Sequence, residues 1–136
     1  MFHTLSYISS CKNDVTPKEL NELFSKTMQN NKNQGVTGIL IFKNNLFFQI
    51  LEGQKETLAQ LFTKIIEDSR HSHIIKIIDH AIEERAFNDY ETGFEIVDNT
   101  EKIKKLKQYI NWLKLAELKS IDNVIKTIEN FIGERI

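Results

Sequence analysis

The sequence predicts an α+β fold, a ferredoxin-like sandwich in which one mixed sheet carries two helices on one face, with two more helices after it. Three observations carry that expectation. The stretch Gly35 to Gly53 splits at Asn44-Asn45 into two strands joined by a tight turn, because apolar runs flank two residues that tolerate positive φ. Segments with apolar residues at helical spacing stand before and after this hairpin, and β-rich segments stand outside both, giving the order β-α-β-β-α-β plus one further strand. At 136 residues and 40% hydrophobic content, the chain suffices for one core and is short for two. Residues 1–98 are therefore expected to form the sandwich and residues 99–136 a two-helix extension.

Phe2 to Ser9 reads as the first strand, with His3, Leu5 and Tyr7 on one face and Phe2, Thr4, Ser6 and Ile8 on the other. Cys11 to Asp14 reads as a loop. Thr16-Pro17-Lys18-Glu19 is an explicit helix start, with Thr as N-cap, Pro at the first helical position and Glu placed to close a capping box. The helix keeps Leu20, Leu23, Phe24, Thr27 and Met28 on one stripe and ends in the polar run Asn30 to Gly35. After the hairpin, Leu58, Leu61, Phe62, Ile65 and Ile66 mark a second helix, closed by Asp68-Ser69-Arg70-His71. Ile74 to Glu83 reads as a strand, Arg85 to Asp89 as a polar turn, and Tyr90 to Val97 as the last strand. Beyond it, Ile103, Leu106, Ile110 and Leu113, then Ile121, Val124, Ile125, Ile128 and Phe131, mark two amphipathic helices that break near Ser120.

Within the hairpin, Leu46, Phe48 and Ile50 share one face of the second strand and Phe47, Gln49 and Leu51 the other. Both faces are apolar except at Gln49. A strand apolar on both faces is normally covered on both, so the Gln49 carboxamide is expected to be buried. Each buried donor or acceptor left unpaired costs about 1–3 kcal/mol. The bland reading is that neighbouring backbone or water satisfies it.

Several functional classes find no support in the residues. The formal charge of −1 advertises no nucleic acid or acidic membrane, and Lys102, Lys104, Lys105 and Lys107 read as a solvated helix face. Cys11 is the only cysteine, so no disulfide within the chain and no Cys-rich zinc site can form. No cysteine stands near His71 and His73 in the chain to complete a site, so no metal is expected. Glu67 and Asp68 are adjacent and point apart, which argues against an acid–base carboxylate pair. There is no Gly-rich phosphate loop or nucleophile elbow, and no enzyme activity is expected. No window approaches the ~20 apolar residues that span a bilayer, and the N-terminus lacks a signal pattern, so a cytoplasmic protein is expected.

Five motifs at compatible separations resemble the BLUF domains, blue-light sensors that use FAD. They are Tyr7 with Ser9; Asn31 ahead of Thr37-Gly38; Phe47-Phe48-Gln49-Ile50-Leu51-Glu52-Gly53; Asp68 with Arg70-His71; and Arg85 with Phe87. The resemblance covers residues 2 to 97. It implies an isoalloxazine ring between the two helices and the sheet, Asn31 bonded to its polar edge, and Asn30, Lys64, Asp68, Arg70 and His71 around the rest of the cofactor. Lys64 stands where many members have Arg, replacing a forked contact by a point charge. Tyr7 and Gln49 would form the photochemical pair. The resemblance also marks departures: Tyr90 stands for the usual Trp and Thr92 for the usual Met, so both are candidate modulators, Tyr90 as a second phenol and Thr92 as a hydroxyl within reach of Gln49.

The implied function is a photoreceptor that signals to an unidentified protein partner or through a homo-oligomer. Two other readings compete with it. One is a flavin-free ferredoxin-like interaction module. The other is a small hydrolase of acylphosphatase type, for which Ser10 to Asn13 is a poor anion loop.

Overall fold

The computed structural model describes residues 2–117 and 121–136. Its elements are β1 (Phe2–Cys11), α1 (Pro17–Asn33), β2 (Thr37–Lys43), β3 (Leu46–Gly53), α2 (Lys55–Glu67), β4 (His71–Ile82), β5 (Phe94–Val97), α3 (Thr100–Leu115) and α4 (Asp122–Ile132). The sheet runs β4-β1-β3-β2-β5, with β5 parallel to β2 and the other neighbours antiparallel. That is the ferredoxin-like order with one strand added, as the pattern of elements predicts.

Local chemistry sets the boundaries. Thr16 caps α1 by accepting from the Glu19 amide at 3.1 Å, while Glu19 accepts from the Thr16 amide at 3.2 Å. Asn44 and Asn45 take φ of +54° and +64°, the pair of positive values a two-residue hairpin turn requires. Gly38 has φ +141°, and a Cβ there would stand 1.9 Å from the Ile50 carbonyl oxygen. Only glycine fits where β2 closes on β3.

Each face of the sheet is covered. Tyr7, Leu40, Phe47, Leu51 and Ile96 pack with Leu23 and Phe24 of α1 and Leu58 and Leu61 of α2. Ile39, Ile41, Phe48, Ile50 and Val97 pack instead with Leu106, Ile110 and Leu113 of α3 and Val124, Ile125 and Ile128 of α4. The Lys43 ammonium donates to the Ile132 carbonyl at 2.8 Å, and the Tyr109 hydroxyl donates to the Ala86 carbonyl at 2.6 Å, tying these helices to the sheet and its loop. No described helix is long and apolar enough to cross a membrane.

Four boundaries differ from the sequence expectation. β1 continues to Cys11, whose amide donates to the Asn45 carbonyl at 2.9 Å. α2 stops at Glu67, and His71 opens β4 instead of closing the helix. β4 ends at Ile82, one residue before Glu83. The last strand is only Phe94–Val97: Tyr90 to Gly93 form a turn, closed by the Gly93 amide on the Tyr90 carbonyl at 2.8 Å, with Glu91 and Gly93 at positive φ. The expected break near Ser120 lies outside the described residues.

Candidate functional site

β1 and β3 are adjacent, and their register places Tyr7 directly opposite Gln49. Strand alternation turns both side chains toward α1 and α2. The Gln49 amide nitrogen donates to the Tyr7 hydroxyl at 2.6 Å, and both residues are buried. The other end of the amide, Oε1, has no partner among the described residues. An unpaired buried acceptor costs about 1–3 kcal/mol, so this atom marks a place for a donor.

That place adjoins a cavity of about 200 Å³ between the sheet and the two helices. Leu23, Leu40, Leu51, Leu61 and Ile65 form its apolar walls, while Tyr7, Lys26, Thr27, Asn30, Asn31, Gln49, Lys64, Asp68, Arg70 and His71 supply polar groups. Helical spacing assembles them: Leu23, Thr27 and Asn30 with Asn31 follow one stripe of α1, and Leu61, Lys64, Ile65 and Asp68 one stripe at and beyond the end of α2. Apolar walls with convergent polar groups suit a flat aromatic ligand. The cavity is smaller than the ~300–1,000 Å³ of a typical ligand cleft, a size for the ring portion of a long cofactor. The unpaired Gln49 acceptor and the amides of Asn30 and Asn31 fit the hydrogen-bonding edge of such a ring.

The electrostatics are ordered by burial. Desolvation pushes the Tyr7 phenol far above its ordinary value, the Gln49 bond only partly opposing it, so the hydroxyl keeps its proton. Asp68 accepts a fork from Arg70, Nε to Oδ1 at 2.9 Å and Nη2 to Oδ2 at 2.7 Å. This bond holds the Asp68 carboxyl below the usual range. His71 shares a 2.9 Å hydrogen bond between Nδ1 and the Ser9 hydroxyl, and its ring centroid lies 4.7 Å from that of Phe47. Burial lowers its pKa, which favours the neutral imidazole.

All eight residues expected at the ring slot or in the photochemical pair line this cavity. The two candidate modulators do not. Tyr90 is buried against Tyr109 and Phe87, with ring centroids 4.7 and 6.1 Å away, in the cluster on the opposite face of the sheet. Thr92 lies in the turn before β5, where its hydroxyl contacts the Phe94 carbonyl at 3.5 Å and the Glu95 carboxylate at 3.3 Å instead of Gln49. The early turn is the reason: with positive φ at Glu91 and Gly93, strand alternation counted back from Phe94 does not apply. Among the described residues no group of three or more His, Cys, Asp or Glu is arranged to hold a metal.

Sequence reasoning missed Lys26, Thr27 and the bond from Ser9 to His71. Lys26 stands four residues before Asn30, a spacing that could have found it; Thr27 was absorbed into the apolar stripe. The Ser9–His71 contact joins β1 to β4 and has no local signal.

Residues 2–93 match the family described as sensors of blue light using FAD, BLUF. The blue light- and temperature-regulated antirepressor BluF of Escherichia coli (strain K12) is 34% identical over 98 residues, 72% of this chain and 24% of that protein. Photoactivated adenylate cyclase subunit beta of Euglena longa is 33% identical over 84 residues, 62% of this chain and 10% of the subunit. This chain thus spans about a quarter or less of the length of those relatives. Among solved structures, BlrP1 BLUF matches with a TM-score of 0.76 at 29% identity, covering 97% of this chain and 90% of its own. Klebsiella pneumoniae BlrP1 in a calcium and cyclic diGMP complex gives 0.80 at 30% identity, over 98% of this chain and 34% of its own.

Proposed function

Because the chain belongs to the BLUF family of blue-light sensors that use FAD, we propose that it signals by rearranging the Tyr7–Gln49 hydrogen bond in the slot between α1, α2 and the sheet. Asn31 and Gln49 would hold the polar edge of the ring. Asn30, Lys64, Asp68, Arg70 and His71 would contact the remaining edge, the ribityl chain or the phosphates.

The observation that carries this reading is the buried amide bonded at one end to a phenol, 2.6 Å away, with its other end unpaired beside the cavity. When bound, the flavin supplies a blue-light-absorbing oxidant. Tyr7, kept protonated by burial, releases an electron readily only if its proton leaves too; Nε2, which donates to the phenol, cannot accept that proton, so Gln49 would relay it only with Oε1 turned toward Tyr7. A phenol both donates and accepts. Either end of the Gln49 amide can therefore bond Tyr7: Nε2 by donating to the phenol, Oε1 by accepting from it. The two orientations differ in which end faces the slot, so reorientation exchanges an acceptor for a donor there at little cost to the Tyr7 bond. No substrate is consumed.

Output through a protein partner or a homo-oligomer is part of the proposal. It requires a partner with different affinity for the two amide states, since equal affinity shifts no equilibrium. Exposed Ile75 and Ile77 on the edge strand β4, and Trp112 and Leu115 on α3, support a contact surface for such an output.

The test is an absorption spectrum of purified protein before and after blue illumination. A yellow protein whose flavin band moves reversibly to the red is expected. A colourless protein that takes up no added FAD overturns the reading in favour of a flavin-free interaction module.

A further inference from the structure

The slot between α1 and α2 encloses about 200 Å³, a size for the ring portion of the cofactor. The ribityl chain must then lead the phosphates out to the rim, where charged side chains decide how they are met. Lys26 of α1, Lys64 of α2, and Asp68 and Arg70 beyond α2 are the charged residues lining the cavity; His71, which burial keeps neutral, adds no charge.

Asp68 and Arg70 are taken up with each other. The Arg70 guanidinium spans both carboxylate oxygens at 2.9 and 2.7 Å, and the Arg70 backbone amide donates to Oδ1 at 2.9 Å. Glu19 and Glu22 of α1 also act on the Arg70 charge. The two lysines are different. Both are exposed, one on each helix, and neither forms an ion pair among the described residues. Lys26 stands one turn before Asn30 and Lys64 one turn before Asp68, so each shares its helix stripe with a residue that also lines the slot.

On the reading of the slot as the flavin site, we propose that Lys26 joins Lys64 in holding the phosphate next to the ribityl chain, one ammonium from each helix, and so makes this chain select phosphorylated flavins over riboflavin. Lys64 alone offers a point charge where a guanidinium would offer a fork. A second ammonium from the facing helix restores a two-sided contact. Each ammonium carries three donors and no acceptor, and phosphate oxygens accept.

The experiment is a dilution series of the full chain loaded with riboflavin, FMN or FAD, with free flavin separated by ultrafiltration at each step to give Kd. FMN and FAD should bind alike, and on the order of tenfold tighter than riboflavin at low salt. The gap should narrow at about 0.5 M NaCl, where exposed charges are screened. Lys26→Gln should lower the FMN-to-riboflavin affinity ratio about fivefold, the scale of one partly exposed charge contact, and the FAD-to-riboflavin ratio equally. Lys26→Arg should keep both ratios. Lys18→Gln removes the same charge from α1 outside the slot lining and should keep them too. Equal parental affinity for all three flavins, parental ratios in Lys26→Gln, a loss confined to FAD, or an equal loss in Lys18→Gln each overturns the proposal while leaving the light-sensor reading intact. Failure to bind any of the three overturns that reading as well.

Discussion

On the proposed mechanism, holding the flavin and switching its environment should separate under one substitution at Gln49. Gln49→Leu keeps the volume of the slot and removes the amide, so bound flavin is expected to persist while the reversible red shift disappears; a normal photocycle in that variant would refute the assigned role. Tyr7→Phe should likewise retain flavin and lose the usual photocycle. Tyr90 is buried with Tyr109 on the other face of the sheet, so Tyr90→Phe is expected to leave the photocycle unchanged in transient absorption. His71 gives a pH dependence of known sign. Burial depresses its folded-state pKa below the ordinary 6.5, so its contribution to stability is complete above that value and lost as pH falls through the lowered one. Denaturant unfolding from neutral pH down to about pH 5 should show a shallower acid loss in His71→Gln than in the parent. That Tyr7, Asn30, Asn31, Gln49, Lys64, Asp68, Arg70 and His71 gather at one place was readable from the spacing of motifs along the chain. That Tyr90 and Thr92 stand off the slot was not, because two positive-φ residues in a turn reset the facing of side chains that simple alternation would continue.

The elements hold the site through a few contacts whose failure should be measurable. Gly38 lets β2 approach β3 where a Cβ would stand 1.9 Å from the Ile50 carbonyl. Gly→Ala stabilises by up to ~1 kcal/mol where the backbone is compatible and destabilises by more than that where it is not, so Gly38→Ala should destabilise by more than ~1 kcal/mol, and retention of parental stability in chemical denaturation would contradict that close approach. The helix start at Thr16 was legible outright, because the capping box is a local bargain between residues three apart. Its loss in Thr16→Ala should cost about 1 kcal/mol. The length of β5 was illegible for the opposite reason. Tyr90 to Val97 has strand-like composition, and it is pairing of Gly38 to Ile41 with Phe94 to Val97 alone that decides where the strand starts.

Over the whole molecule, the sheet serves two layers: the slot side with α1 and α2, and the side covered by α3 and α4. Truncation after Asp98 should uncover Ile39, Ile41, Phe48 and Ile50, all fully buried in the intact chain, and drive self-association visible in size-exclusion chromatography. Flavin spectra of any fraction that stays folded should change little, because the slot lies on the other face. The amino-acid order was enough to determine the class of fold, the hairpin, the capped first helix and the cast of side chains at the slot, since periodicity, turn propensity and motif spacing are properties of neighbours along the chain. The tertiary structure alone decided that the Gln49 amide nitrogen bonds Tyr7 while Oε1 has no partner among the described residues, and that His71 meets Ser9. Those facts depend on strand register and on layers meeting across the sheet, where residues far apart in sequence become partners or are left without one.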